Sequence, residues 1–160
     1  MGKLGDFWGN LEKAAVFLGE YSHTLDREFR VALPARLREA AGEGLSAGLC
    51  LVRGAEPCIV AYPRDRFERL VTGLEADNSI GKTVAREFKR ALGGSSIVVV
   101  PDSQGRLLLP EFLRAHAHIQ KDVTLVGAIN KIEIWDTATF QSREPARHAA
   151  FERLAPLLFE

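Results

Sequence analysis

The residues best suited to chemistry are an aspartate and an arginine four positions apart, and this pair occurs twice. The first copy is Asp26 with Arg30, and the second is Asp102 with Arg106. An aspartate in a turn accepts hydrogen bonds from backbone N–H groups two or more residues on, and it thereby fixes a loop. The arginine leaves that loop beside the carboxylate, and a charge-assisted pair then sets the direction of its guanidinium. The pattern therefore offers an oriented cation at the end of a loop.

The two pairs belong to a longer internal repeat. Residues 26–34 and 102–110 match at an offset of 76 positions (from 26 to 102), where Asp, Arg, Leu and Pro coincide. Beyond the proline, the same register aligns two further pairs of residues: Leu37 with Leu113, and Arg38 with Arg114. Self-similarity of this kind indicates one supersecondary unit present in tandem.

A single Asp–Arg pair is more often a weak surface salt bridge that closes a turn. Two copies, each followed by further arginines, favour a surface that contacts phosphate groups. Within this hypothesis the two loop arginines are the leading contacts and the two aspartates orient them. The candidate residues are Arg30 and Arg106, oriented by Asp26 and Asp102, with Arg27, Arg36, Arg38 and Arg114 for backbone phosphates.

Each copy is predicted to contain a loop, a short strand and the start of a helix. The strands are predicted at Val31–Leu33 and Leu107–Leu109, and the proline after each suits a first helical turn. Gly105 gives the second loop a residue that adopts positive φ without strain. The first loop has Phe29 at that position, so it must carry strain or adopt another shape. On this basis, replacing Arg106 should weaken DNA binding more than replacing Arg30.

Further strands and helices are predicted around the two copies. The predicted strands are 17–25, 49–52, 58–62, 96–100, 125–126 and 131–135, with a hairpin turn over 53–56 and a helix over 34–41 ended by Gly42. In the last strand Ile132 and Ile134 alternate with polar residues, which indicates one buried face. At an offset of 73 (from 62 to 135) Tyr62 falls on Trp135.

Three apolar helices are predicted outside the repeats. Two lie between the copies, with stripes that are expected to pack between repeats or protomers: Phe67, Leu70, Val71 and Leu74, then Ile80, Val84, Phe88 and Leu92. The segment Asp77-Asn78-Ser79 offers caps for the second of these, and Asp136 for a short helix through Phe140. The third apolar segment is the tail from Pro145, whose Phe151 and leucines are expected to dock on another surface.

Composition excludes several classes of function. The net charge is 0, from 21 basic and 21 acidic residues, so one protomer should bind DNA weakly and several must act together. No apolar run reaches the roughly 20 residues of a membrane span, and no signal peptide is visible, which predicts a cytoplasmic protein without membrane contact. The sequence contains no nucleophile–base constellation and no glycine loop for phosphates, so no enzyme activity, cofactor or small-molecule substrate is predicted.

Cysteine and histidine do not form a recognisable site. Cys50 and Cys58 lie among apolar residues, which predicts buried reduced thiols, with a cross-strand disulfide as the alternative. His116 and His118 are two positions apart, so on a helix their rings point in different directions. We therefore expect surface histidines and no metal.

The motifs resemble those of a known family. The stretch Phe17–Asp26, followed by Arg30 and Leu33-Pro34, resembles the start of the MraZ proteins. The second copy, with Val126-Gly127 and Ile132–Trp135, resembles that family's second repeat. The resemblance implies an α+β, β-rich fold of two AbrB-like swapped-hairpin units, forming a half-barrel pair with peripheral helices. It also implies a ring-shaped homo-oligomer that is nucleoid-associated. Such a protein would regulate transcription from promoter repeats upstream of the cell-division and cell-wall genes, with Arg30 and Arg106 as its leading DNA contacts.

The resemblance also suggests boundaries. It divides the chain into an N-terminal extension (1–16), repeat 1 (20–62), connecting helices (63–95), repeat 2 (96–138) and a helical tail (139–160). Val16-Phe17 aligns with the family's initial Met-Phe, so the native protein is expected to begin at position 16. A short amphipathic helix over 11–18 is the alternative. The functional alternative is an oligomeric scaffold whose loops bind protein, with the Asp–Arg pairs as assembly contacts.

Overall fold

The computed structural model describes residues 16–159, and the expectations for residues 1–15 lie outside this part of the chain. The described residues form an α+β structure of eight strands and six α-helices. The strands are β1 Glu20–Thr24, β2 Arg30–Ala32, β3 Leu49–Arg53, β4 Ile59–Pro63, β5 Ile97–Val99, β6 Arg106–Leu108, β7 Asp122–Gly127 and β8 Ile132–Asp136. The helices are α1 Ala35–Ala41, α2 Arg64–Ala76, α3 Lys82–Gly94, α4 Glu111–Ala117, α5 Thr137–Ser142 and α6 Glu144–Leu158, with a 3₁₀ helix at Gly42–Ala47.

The strands of the two repeats are exchanged. A six-stranded antiparallel sheet has the order β1-β7-β8-β4-β3-β5, and β2 pairs with β6 in a separate two-stranded sheet. Strand β1 of the first copy pairs with β7 of the second, while β5 of the second copy pairs with β3 of the first. The predicted fold class, an α+β fold with two swapped-hairpin units, is confirmed.

The repeats are related by a local twofold axis. In the small sheet Val31 pairs with Leu107, its equivalent at the offset of 76 (from 31 to 107). In the large sheet Val60 pairs with Glu133, its equivalent at the offset of 73 (from 60 to 133). When equivalent residues of two copies face each other in an antiparallel pair, the symmetry axis passes between them. The axis therefore runs through both sheets and brings the two Asp–Arg loops to its two sides.

The core lies between the two sheets and helices α1 and α4. Equivalent residues of the two repeats fill it together, among them Val31 and Leu107, Leu33 and Leu109, and Leu37 and Leu113. The predicted alternation in β8 is confirmed, because Ile132 and Ile134 are fully buried. Burying large aliphatic side chains from both copies in one cluster makes each repeat depend on the other for stability.

A smaller cluster on the other side of the sheet contains Cys58, Trp135 and Phe140. Both cysteines are buried and free, as predicted. Cys50 faces Tyr62 across the β3–β4 pair, so the register keeps it from facing Cys58. Burial raises the pKa of the Cys58 thiol to about 12, which makes it an unreactive core residue.

Two local predictions are corrected by the structure. The first strand begins at Glu20 and not at Phe17, because Gly19 has φ 100° and interrupts the extended chain. Phe17 instead forms an isolated bridge with Ile129. Helix α3 begins after Gly81, which provides no side-chain cap, while the Asp77 carboxylate accepts a hydrogen bond from the Ser79 N–H. The predicted cap at Asp136 is confirmed, since its side chain accepts from the Thr139 N–H.

The peripheral helices have large exposed apolar faces. Neither α2 nor α3 contributes a fully buried residue, and Phe88 on α3 is 51% exposed. These helices and the β3–β4 hairpin line an apolar groove of about 330 Å³. Helix α6 carries the exposed residues Phe151, Leu154, Leu157 and Leu158, followed by Phe159. No helix within residues 16–159 has the length and apolar character needed to cross a membrane.

Candidate nucleic-acid interface

Each Asp–Arg loop is closed by one carboxylate in the way that the sequence predicts. Oδ1 of Asp26 accepts hydrogen bonds from the N–H groups of Glu28 and Arg30, both at 2.9 Å. Oδ1 of Asp102 accepts from the N–H groups of Gln104 at 3.0 Å and Arg106 at 2.9 Å. The second oxygen of each carboxylate receives the Nε–H of its own arginine, at 3.1 Å in the first loop and 2.9 Å in the second.

The two loops are also joined across the twofold axis. Nη1 of Arg30 lies 3.3 Å from Oδ2 of Asp102, and Nη1 of Arg106 lies 3.6 Å from Oδ2 of Asp26. Each arginine therefore bridges both aspartates, and the four side chains form one network. Arg30 also pairs with Glu28, whose Oε2 lies 3.2 Å from its Nη2. The aspartate and arginine side chains are half-buried, so their pairs are less screened by solvent than fully exposed ones. This bridging could not be predicted from the sequence, because equivalent positions in a repeat do not reveal which residues meet.

The network shifts the acidity of both carboxylates. The pKa of Asp26 lies below its usual value, first because of the hydrogen bond from the Arg30 backbone N–H. The pKa of Asp102 is lowered in the same way, first by the backbone N–H of Arg106. The partial loss of hydration opposes both shifts without reversing them. Both aspartates are therefore ionised at neutral pH, as the network requires.

Phe29 and Gly105 occupy equivalent positions with the same backbone conformation. Their φ angles are 62° and 76°. The N–H of Phe29 donates to the Asp26 carbonyl at 3.1 Å, and that of Gly105 donates to the Asp102 carbonyl at 2.9 Å. The first loop therefore keeps the geometry of the second and carries the strain of a bulky residue at positive φ.

An arginine from the opposite repeat contacts each of these positions. The Arg114 guanidinium carbon lies 3.8 Å from the centroid of the Phe29 ring, which is a cation–π contact. Arg38, the equivalent arginine of the first repeat, lies over Gly105, where an added Cβ would be 2.9 Å from its Nη1. Arg114 is also anchored through Nε–H, which donates to the Leu109 carbonyl at 2.8 Å. Each loop is thus supported by a helix of the other repeat.

The remaining candidate arginines are more independent. Arg27 and Arg36 are exposed, and neither makes an ion pair or side-chain hydrogen bond within residues 16–159. Arg27 lies in the first loop itself, whereas Arg36 lies in the first turn of α1. Both can therefore turn towards an external anion without losing an internal partner.

The expectation of two surface histidines is correct for one of them. His118 is exposed and ends α4 with φ 56°. His116 is half-buried, and its Nε2 lies 3.1 Å from the Gly54 carbonyl and 3.2 Å from that of Glu56, at the β3–β4 turn. His116 thus joins α4 to the hairpin. Among the described residues no three metal-ligating side chains are grouped closely enough to hold an ion.

The exchanged strands and the paired loops define a tandem swapped-hairpin protein, with both copies of the unit in one chain. Comparison with known families agrees with this class. The model of the MraZ protein family, described as antitoxin-like, matches residues 16–91 and 96–154. The chain belongs to the MraZ family.

Several curated relatives match almost the whole chain. The protein named Transcriptional regulator MraZ in Cutibacterium acnes is 32% identical over 90% of this chain and 98% of its own length. Its namesake in Heliobacterium modesticaldum is 34% identical over 91% of this chain and 98% of the relative. A third, in Thermobifida fusca, is 36% identical over 88% of this chain and 94% of the relative.

Proposed function

We propose that this protein is a sequence-specific DNA-binding regulator of transcription. The observation that carries the proposal is the network of two aspartates and two arginines, which fixes two loops side by side across the twofold axis, each with an oriented arginine. Two rigid loops related by a twofold axis match the pseudo-symmetry of duplex DNA. Membership in a family whose curated relatives are named transcriptional regulators supports the same function.

Within this proposal the arginines have different roles. Arg30 and Arg106 contact DNA with the guanidinium edges that the network leaves exposed, while Asp26 and Asp102 hold their direction. Arg27 and Arg36 contact backbone phosphates, since neither has an internal partner among the described residues. Arg38 and Arg114 belong to helices α1 and α4, contact the loops at Gly105 and Phe29, and add positive charge next to them.

Binding requires several protomers, because the whole chain has a net charge of 0. Linked copies raise the effective concentration of each further contact and convert weak sites into strong overall binding. The exposed apolar faces of α2, α3 and α6 support self-association into a ring-like homo-oligomer. We propose that the ring occupies promoter repeats upstream of the cell-division and cell-wall genes, in the cytoplasm and at the nucleoid. We propose no catalytic activity. We also propose that residues 20–62 and 96–138 are the two repeats.

The test is a gel-shift titration with duplex DNA from upstream of the protein's own gene cluster, performed at several salt concentrations. We expect a complex that is resolved from shuffled DNA of the same composition and that weakens as salt increases. Replacing both exposed arginines, in Arg27→Ala/Arg36→Ala, should weaken binding and reduce the salt dependence. The matched control is Arg69→Ala, which removes an exposed arginine of α2 that pairs with Asp65.

The scaffold alternative predicts a different result. If the Asp–Arg pairs serve assembly alone, the protein forms oligomers and captures protein but shows no salt-sensitive complex with the upstream duplex. Light scattering on the same samples separates the two functions, because it reports assembly without DNA. An assembled protein that does not distinguish upstream DNA from shuffled DNA would overturn the proposed function.

A further inference from the structure

The two loops differ in the surface that they present. Phe29 is 44% exposed, at the position where the second loop has Gly105. An exposed phenylalanine gains little from burial, and its positive φ is a strained conformation for a bulky side chain. Glycine would remove this strain, as Gly105 shows in an otherwise equivalent loop. A strained residue that the fold does not require is a reason to look for function at that residue.

The ring of Phe29 is held in one orientation. The Arg114 guanidinium covers one face at 3.8 Å, and Arg114 is itself fixed by its hydrogen bond to the Leu109 carbonyl. The part of the ring that stays exposed belongs to the same five-residue loop as Arg27 and Arg30. The exposed part of the Phe29 ring is an apolar surface among charged residues. It differs from a core residue that is incompletely covered, because the Arg114 guanidinium sets its direction.

We propose that Phe29 is a specificity-determining residue that contacts the 5-methyl group of thymine in the major groove. This inference rests on the proposed DNA-binding function. The thymine methyl group is the one apolar feature of base edges in that groove, and phenylalanine is among the side chains that contact it. Because Gly105 offers no such surface, only the first loop prefers thymine. The protein thus recognises an asymmetric pair of half-sites despite its local twofold axis.

Arg114 acts in this proposal as a positioning residue. It does not contact the base but keeps the exposed part of the Phe29 ring turned towards the groove. Its equivalent, Arg38, fills the space over Gly105, so no ring can be placed there without moving it. The asymmetry between the half-sites therefore depends on two pairs, Phe29 with Arg114 and Gly105 with Arg38.

The experiment begins with selection of duplexes from a random pool by the wild-type protein. Affinity for the best duplex is then compared with that for the same duplex carrying deoxyuridine in place of thymine, one position at a time. Deoxyuridine lacks only the methyl group. We expect a three- to fivefold loss at one or two positions under the first loop, in line with about one buried methyl group. Phe29→Gly should show no loss at those positions and should select duplexes without the thymine preference.

Two variants keep the result interpretable. Phe29→Gly should fold, since Gly105 adopts the same conformation, and circular dichroism with light scattering checks this. Arg114→Ala keeps the ring but frees it, so the loss caused by deoxyuridine should fall between those of wild type and Phe29→Gly. Equal tolerance of deoxyuridine by wild type and Phe29→Gly on a duplex that both bind would overturn the inference and leave the proposed function intact. If the wild type enriches no sequence at all, the proposed function fails first and this inference fails with it.

Discussion

The loop at residues 26–30 and the loop at residues 102–106 have the same hydrogen-bond pattern but different side chains at one strained position. Both are closed by an aspartate that accepts two backbone N–H groups and its own arginine Nε–H. The first loop places Phe29 at positive φ and the second places Gly105 there. The comparison shows that the carboxylate, and not the residue at positive φ, determines the shape of the loop.

The comparison also shows that the loops do not act separately. Each arginine reaches the aspartate of the other loop, and each loop lies under an arginine from the other repeat. The expectation that Arg106 matters more than Arg30 assumed two independent loops, of which the glycine loop was better organised. With a shared network, we expect their replacement to weaken DNA binding to similar extents.

The largest effect is expected from removing one carboxylate. In Asp102→Ala the second loop loses its closing hydrogen bonds and Arg106 loses the aspartate of its own loop. Arg30 loses its bridge to the second loop. The two arginines then share Asp26, with Glu28 as a further partner of Arg30 alone, and both arginines are misdirected. We expect affinity for upstream DNA to fall roughly 10- to 100-fold, the loss of one to two good guanidinium contacts. Asp26→Ala should behave in the same way, and titration by fluorescence anisotropy measures both.

An effect confined to one loop would contradict the shared network. The control is Asp77→Ala, which removes a carboxylate that also accepts a backbone N–H but lies before α3. This control should leave DNA affinity unchanged. If Asp102→Ala disturbs only the second half-site in footprinting, the bridges across the axis contribute nothing to binding.

Much of this arrangement follows from the sequence. The Asp–Arg spacing, the doubled motif and the alternation in β8 were enough to predict the loops and the repeat, whereas the exchanged fold was predicted from the family resemblance. The bridging of Arg30 to Asp102 was not predictable, because it depends on the register in which Val31 meets Leu107. The Phe29–Arg114 contact joins residues of different repeats, so local spacing gives no sign of it. The cap of α3 was predicted wrongly because Asp77 closes its own turn with Ser79.

The next largest effect is a change in unfolding free energy at the two positive-φ positions. Gly105→Ala places a Cβ at φ 76° and 2.9 Å from Nη1 of Arg38. We expect a loss of about 1–2 kcal/mol in unfolding free energy, from the backbone strain and the displaced arginine. Phe29→Gly relieves the corresponding strain in the first loop and should change stability by less than this. Chemical denaturation measures the unfolding free energy of both variants. An equal loss of unfolding free energy in Phe29→Gly would contradict the strain assigned to Phe29.

Acid should weaken the same network. Because the folded-state pKa values of Asp26 and Asp102 are lowered, their contribution to stability is complete above the unfolded value of about 4. It is lost as pH falls through the lower folded-state values, since the unfolded chain then binds more protons. We expect the Tm of the wild type to decrease below about pH 4, and that of Asp26→Asn/Asp102→Asn to decrease less steeply. Parallel Tm profiles would contradict the assigned shifts.

The smallest effect is expected from the stack on Phe29. Arg114→Ala removes a cation–π contact at a partly exposed ring, which is worth about 0.5–1 kcal/mol. In the double-mutant cycle with Phe29→Gly, the coupling energy should have that size. The matched cycle of Arg38→Ala with Phe29→Gly should show no coupling, because Arg38 lies over the other loop. Equal coupling energies in both cycles would mean that the coupling does not come from the contact between Arg114 and Phe29.

The most direct test of the account measures affinity for upstream DNA at several salt concentrations for wild type, Arg30→Ala, Arg106→Ala and the double variant. Light scattering first confirms that all four assemble alike. We predict similar losses for the single variants, a double variant that loses less than their sum, and a salt slope reduced by about one for each phosphate contact removed per protomer. Full affinity and an unchanged slope in both single variants would contradict the account and leave the two arginines as salt bridges that close turns.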